Sequence, residues 1–201
     1  MPDAPGLELI RGEIEAAHPG ATIDAGFAQE RAVLSIDPAR VLDVLGWLRD
    51  APSQGYKFLS SLHAVDYLPA TPRFAVHYEL LNRDRVERIR VKALLGDPSS
   101  AGGVDSGGPR TEAEPPPAGP PEAATGPAAG ALPEIDSCVS LFPTAEFQER
   151  EAFDFFGIVF RGHPDLRRIL LPDDYVGWPQ RRDFPVGGEP VTFTYNERNY
   201  G

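Results

Sequence analysis

Cysteine is nearly absent from this 201-residue chain. With Cys138 alone, no internal disulfide, no Cys-x-x-Cys redox pair and no four-thiolate cage for zinc or an iron–sulfur cluster can form. Long apolar runs are missing as well. The longest, such as Phe155-Phe156 and Ile169-Leu170-Leu171, fall far short of the roughly 20 residues that cross a bilayer as a helix. Asp3 and Glu8 stand where a secretory signal places bases and an apolar core, so no signal segment is expected. Bases are outnumbered, 19 against 30 acids, and the net charge of −11 repels bare nucleic acid and anionic leaflets. No Gly-x-Gly-x-x-Gly, Gly-x-x-x-x-Gly-Lys or Gly-x-Ser-x-Gly occurs, so dinucleotide, phosphate-loop and hydrolase-elbow chemistries have no anchor. What remains is a globular composition, 41% hydrophobic and 24% charged, sized for one ordinary domain or two small ones.

Leu7, Ile10, Ile14 and Ala17 recur at helical spacing before Pro19-Gly20, predicting a helix over 6–18. Ala32 to Ile36 reads as a strand. Asp37-Pro38 then caps a second helix, whose stripe is Val41, Val44, Leu45 and Leu48 and which Ala51-Pro52 closes. Three longer strands follow at Tyr56–Tyr67, Arg73–Leu81 and Arg85–Leu95, with Asn82-Arg83-Asp84 as a hairpin turn. This pattern predicts an α+β two-layer sandwich: a mostly antiparallel sheet of about four strands with helices, then a proline-punctuated C-terminal extension. Four units are expected: an N-terminal α+β domain over 1–95, an insertion over 96–133, a segment over 134–185 that completes the domain, and an extended tail over 186–201. The insertion holds nine Pro, eight Gly, eight Ala and no aromatic residue, too little apolar surface to offset its ordering entropy, so disorder is expected there.

Beyond Pro143, Thr144 is placed to cap a helix ending at Gly157 in a left-handed conformation, followed by a brief strand at Ile158–Phe160. From Glu146 to Asp183 there are eight acids, six arginines and no lysine. Arginine forks match carboxylates bidentately and desolvate more easily than ammonium groups, and Phe147, Phe153, Phe155 and Phe156 interleave them. An interface is one reading. A solvated charged face with Arg150–Asp154 as an i,i+4 pair is the plainer one. Glu149, Glu151, Asp154 and His163 could also serve as a general acid–base or metal-ligand set, making the chain a small hydrolase. Their spacing argues against it: Glu149 and Glu151 cannot share a helix face, and His163 lies beyond a strand. His18, His63 and His77 are scattered. His163, followed by Pro164, is expected to bond structurally.

Glu149-Arg150-Glu151, Asp154-Phe155-Phe156, His163, Arg167 and Ile169-Leu170, at their spacings, resemble the signature of the respiratory-chain NADH dehydrogenase 30 kDa subunit family, the C subunits of bacterial complex I. The likeness runs on into Pro172-Asp173-Asp174-Tyr175 and Gly177-Trp178-Pro179-Gln180-Arg181-Arg182-Asp183-Phe184, and weakly back into Leu59–Tyr67. Gln180, where an aliphatic residue is usual, Phe147, where tryptophan is common, and the long insertion depart from it. The resemblance implies a structural subunit of a proton-translocating NADH:quinone oxidoreductase that holds no cofactor, metal or catalytic residue of its own. FMN, iron–sulfur clusters, NADH and quinone are then expected on other subunits, and the chain on the cytoplasmic face of the cell membrane. It further implies packing on the D-type subunit, which helps form the quinone cavity, and on neighbouring iron–sulfur subunits. Glu149, Arg150, Glu151, Asp154, His163, Pro164, Arg167, Arg168, Arg181, Arg182 and Asp183 are the expected signature and interface residues. Equivalent subunits of membrane-bound hydrogenases and coenzyme F420-type dehydrogenases share the signature and stay open as readings.

Overall fold

The computed structural model describes residues 1–98 and 132–184. Most of the expected insertion and the 186–201 tail lie outside them.

Helix α1 spans Ala4–Ala17, where Asp3 accepts a hydrogen bond from the Gly6 N–H at 2.8 Å and Pro5 occupies the first turn. Strands β1 (Thr22–Ala28) and β2 (Arg31–Ile36) form a hairpin. Strand β1 was not expected: it is an edge strand, half of it exposed, so no apolar alternation marks it. Asp37 caps a short 3-10 turn over Pro38–Arg40 through the Ala39 N–H, and this turn leads into α2 (Val41–Asp50). Val41, Val44, Leu45 and Leu48 of α2 are buried, each contributing about 2 kcal/mol of apolar burial.

Strands β3 (Phe58–Asp66), β4 (Phe74–Asn82) and β5 (Glu87–Leu95) form the antiparallel half of the sheet. The β4–β5 turn is longer than the three residues expected. Strand β5 begins at Glu87 because Val86 sits at φ 52°, and Asn82 Oδ1 accepts the Arg85 N–H at 2.9 Å. The completed sheet has five strands, not four, in the order β1-β2-β5-β4-β3. Three of its pairings are antiparallel, whereas β2 and β5 are parallel.

A second, two-stranded parallel sheet pairs β6 (Glu134–Asp136) with β7 (Val159–Arg161), one residue later than expected for β7. Between them α3 runs from Ala145 to Phe156. Ile135, Cys138, Phe142, Ala145, Ala152, Ile158 and Phe160 join one core with Leu7, Ile14, Leu34, Leu45, Tyr78 and Val91. The segment after the insertion thus packs into the same core as the first 95 residues.

Candidate functional site

Helix α3 carries the charged signature, yet three of its charges, Glu149, Arg150 and Asp154, are buried. Glu149 and Asp154 are 0% exposed and Arg150 nearly so. A charge withdrawn from water needs partners or a shifted ionisation, and each of these side chains has one or the other.

Asp154 is the most heavily bonded. Its Oδ1 accepts from Arg168 Nη1 at 2.7 Å, and its Oδ2 accepts the consecutive backbone N–H groups of Ile169, Leu170 and Leu171 at 3.1, 2.8 and 2.9 Å. Burial alone raises its pKa. The Leu171 N–H, the Arg168 guanidinium and the Leu170 and Ile169 N–H groups outweigh burial and hold it below the ordinary value. The ion-pair partner of Asp154 is therefore Arg168, and the i,i+4 pair with Arg150 does not form. Arg150 instead donates to the carbonyls of Arg167 and Arg168 at 3.2 and 2.9 Å.

Arg168 directs its remaining donors to the carbonyls of Tyr175 and Gly177, and its guanidinium lies 4.7 Å from the Trp178 ring centroid. Trp178 covers Gly157, the αL residue ending α3 at φ 69°. A Cβ at position 157 would meet that ring at 2.5 Å, so glycine is required both by conformation and by space. His163 Nε2 bonds the Glu146 carbonyl at 2.9 Å and Nδ1 accepts the Asp165 N–H at 3.0 Å. Those partners assign the neutral Nε2–H tautomer, which is the structural role expected of it.

Glu149 lies deeper. Its Oε1 accepts the Cys138 N–H at 2.8 Å, while Oε2 has no hydrogen-bond partner. Burial pushes its pKa up, against the lowering effect of hydrogen bonds from the Ser137 and Cys138 side. The other acid of the motif, Glu151, is exposed and lines a shallow groove of about 220 Å³ with Leu62, Ala64, Phe155, Phe156 and Gln180. Pro164 and Arg167 are exposed too, Arg167 pairing among the described residues with Asp165 alone.

A second cluster, centred on a residue the sequence pattern did not single out, holds the end of the segment. Arg73 grips Asp66 with two bonds of 3.0 and 2.8 Å, and also donates to Asp97 at 2.9 Å and Asp183 at 2.6 Å. These carboxylates raise the Arg73 pKa, with Asp66 foremost. Arg182 adds its backbone N–H to Asp66 Oδ2 and Nη1 to the Leu68 carbonyl. Arg181 donates Nε to the Phe156 carbonyl at 2.7 Å and lies 4.9 Å above Phe74. Burial, then the Arg73 charge, lowers its pKa. The sequence offered only a slight signal for Arg73, Asp66 seven residues before it, since Asp97 and Asp183 lie far along the chain.

The groups weighed as an acid–base or ligand set do not converge. Asp154 and His163 have their acceptors and donors committed, Glu149 is in the core and Glu151 is on the surface. Among the described residues, no three His, Cys, Asp or Glu side chains are grouped to hold a metal ion, and no helix is long and apolar enough to cross a membrane. What the network does is fix residues 165–184 against α3, leaving Phe147, Leu170 and Val176 turned outward at 59, 62 and 46% exposure.

The family model described as respiratory-chain NADH dehydrogenase, 30 Kd subunit, matches residues 34–106 and 124–190, and the gap between the two stretches falls inside the Pro/Gly/Ala tract. A protein of Roseiflexus castenholzii, named as the C subunit of an NADH-quinone oxidoreductase, is 36% identical over 190 residues, covering 94% of this chain and 89% of its own. One of the same name from Herpetosiphon aurantiacus is 36% identical over 176 residues, covering 88% and 84%. In fold, the chain is similar to one in the structure of the membrane-bound sulfane sulfur reductase, an archaeal respiratory membrane complex. The TM-score is 0.58 and the identity 19%, with 89% of this chain and 85% of that one covered.

Proposed function

The chain belongs to the respiratory-chain NADH dehydrogenase 30 kDa subunit family, and from that premise we propose that it is a scaffold subunit of a proton-translocating NADH:quinone oxidoreductase. In this reading it holds no cofactor and is not catalytic by itself. Electrons pass from NADH through FMN and iron–sulfur clusters to quinone on other subunits, and the chain sits peripherally on the cytoplasmic side of the membrane. Its 146–184 region docks on the D-type subunit of the quinone cavity, beside the iron–sulfur subunits.

One observation carries the docking reading. Arg150, Asp154, His163 and Arg168 direct their bonds into the chain itself, and α3 with the loops they fix on it presents Phe147, Leu170 and Val176 to solvent. Exposed apolar side chains on a rigid, hydrogen-bonded support suit a protein interface, where large apolar anchors on preorganised elements carry most of the affinity. In this arrangement the buried charges shape the surface and the apolar residues make the contact.

The test is affinity recovery of tagged chain from gently solubilised membranes, with subunits identified by mass spectrometry and NADH:quinone oxidoreductase activity measured on the eluate. Leu170→Asp should lose the D-type subunit while the isolated chain keeps its thermal midpoint. Full recovery of that subunit with Leu170→Asp would remove residues 146–184 as the docking region. Recovery of a complex with the signature but no NADH oxidation would move the chain to a relative of complex I that uses another electron donor.

A further inference from the structure

One face of the sheet carries the core. Helices α1, α2 and α3 all contribute to the core that contains Leu34, Ile36, Tyr78, Leu80, Ile89 and Val91. Side chains alternate along a strand, so the neighbours of those residues point to the opposite face. Val33, Val65 and Leu94 lie outside that core and are half-buried, while Ala75 and His77 on the same face are buried, His77 bonding the Tyr67 hydroxyl.

Register identifies what this opposite face carries. Lys92 is opposite His77 of β4 and Ser35 of β2, Arg90 is opposite Glu79 and Val33, and Arg88 is opposite Leu81. Arg31 stands two residues before Val33 on the same side, and Asp24 of β1 is opposite Ser35. The face therefore holds four cations, Arg31, Arg88, Arg90 and Lys92, against two carboxylates, Asp24 and Glu79, a surplus of two positive charges on a chain whose net charge is −11. Glu79 is shared by Arg90 and Arg31, the latter at 3.8 Å. Lys92 Nζ lies 4.7 Å from the Tyr67 ring centroid, and Arg88 is exposed. At one end, a cavity of about 340 Å³ opens between Arg31, Glu79, Arg88 and Arg90, with Glu30 on its rim.

We propose that this sheet face, opposite the core, is a second docking surface, separate from the 146–184 platform, and that it receives an acidic segment of a neighbouring subunit. The proposal rests on the chain being a subunit of an assembled complex. Charge complementarity names the partner: a positive surplus on an otherwise acidic chain steers and registers a negative segment while the rest of the surface repels it. The half-buried Val33, Val65 and Leu94 between the charges give that segment an apolar floor.

The chain has only two lysines, Lys57 and Lys92, which makes the test direct. Carbodiimide joins an amine to a carboxylate in contact with it, so the complex recovered by the tagged chain is treated with carbodiimide and the Lys92 peptide is analysed by mass spectrometry. A link from Lys92 to an Asp or Glu of another subunit, reduced several-fold in Arg31→Glu/Arg88→Glu, is the expected result. The thermal midpoint of the isolated double variant, and the milder Arg88→Gln, separate lost docking from a folding defect. Links from Lys92 only to acids of this chain's own 99–131 segment overturn the proposal. Partners recovered normally with Lys92 as open to amine labelling as in the free chain overturn it as well, leaving the 146–184 reading standing. A chain that recovers no partner overturns both.

Discussion

The Asp154 carboxylate accepts four hydrogen bonds, three of them from consecutive backbone N–H groups, and removing its charge leaves the half-buried Arg168 without its carboxylate partner. Breaking one side of such a pair costs about 3–5 kcal/mol. Asp154→Asn is therefore expected to lower unfolding stability by about that amount in urea titration. Its depressed pKa has a defined sign: the contribution is full above the ordinary carboxylate value near 3.8 and is lost as pH falls through the lower, folded value. Gly157→Ala meets two obstacles, a left-handed backbone and the Trp178 ring, and should cost more than the roughly 1 kcal/mol of the conformational change alone. A thermal midpoint unchanged in Gly157→Ala would show that Trp178 does not cover this position. His77 is buried on the sheet face opposite the core, where burial, then His63, Arg90 and Lys92, depress its pKa to about 3. The folded chain binds fewer protons there than the unfolded one, so stability is full above the ordinary value of 6.5 and declines as pH falls toward 3. His77→Gln should flatten that decline between pH 6.5 and 5, a window above the ordinary carboxylate range; a slope equal to that of the parent chain would assign the effect elsewhere.

At the scale of elements, the sequence was most legible where apolar periodicity and caps coincide. The buried stripes of α1 and α2, the Asp37 cap and the left-handed Gly157 all lie where their local chemistry puts them. Strand β1 was not legible because an exposed edge strand needs no apolar alternation, and β6 was not because it is three residues long. The site was legible as a set of residue types but not as a set of directions. Arg150 and Asp154 have the spacing of a helical pair, yet long-range bonds to residues 167–171 take both, and no local rule encodes those partners. Arg73 was missed because two of its three carboxylates, Asp97 and Asp183, lie 24 and 110 residues away along the chain. The same directions set a prediction for this element. Arg168→Ala should lower both folding stability and partner recovery, because it unties the 165–178 loop, whereas Arg167→Ala, at an exposed pair worth at most about 1 kcal/mol, should leave stability unchanged. Thermal unfolding of the two single variants distinguishes them, and equal midpoints would contradict the internal role of Arg168.

For the whole molecule, one core joins the two sides of the Pro/Gly/Ala tract, and the buried charges of α3 tie residues 167–171 to that helix. In the proposed docking, the surface of residues 146–184 binds a neighbouring subunit through apolar side chains held by the buried network. Quantitative recovery of the D-type subunit with Leu170→Asp, beside the parent chain and with the folding of both checked by thermal unfolding, tests it most directly. The account predicts that Leu170→Asp recovers several-fold less of that subunit at an unchanged thermal midpoint. Equal recovery by the two chains would contradict it.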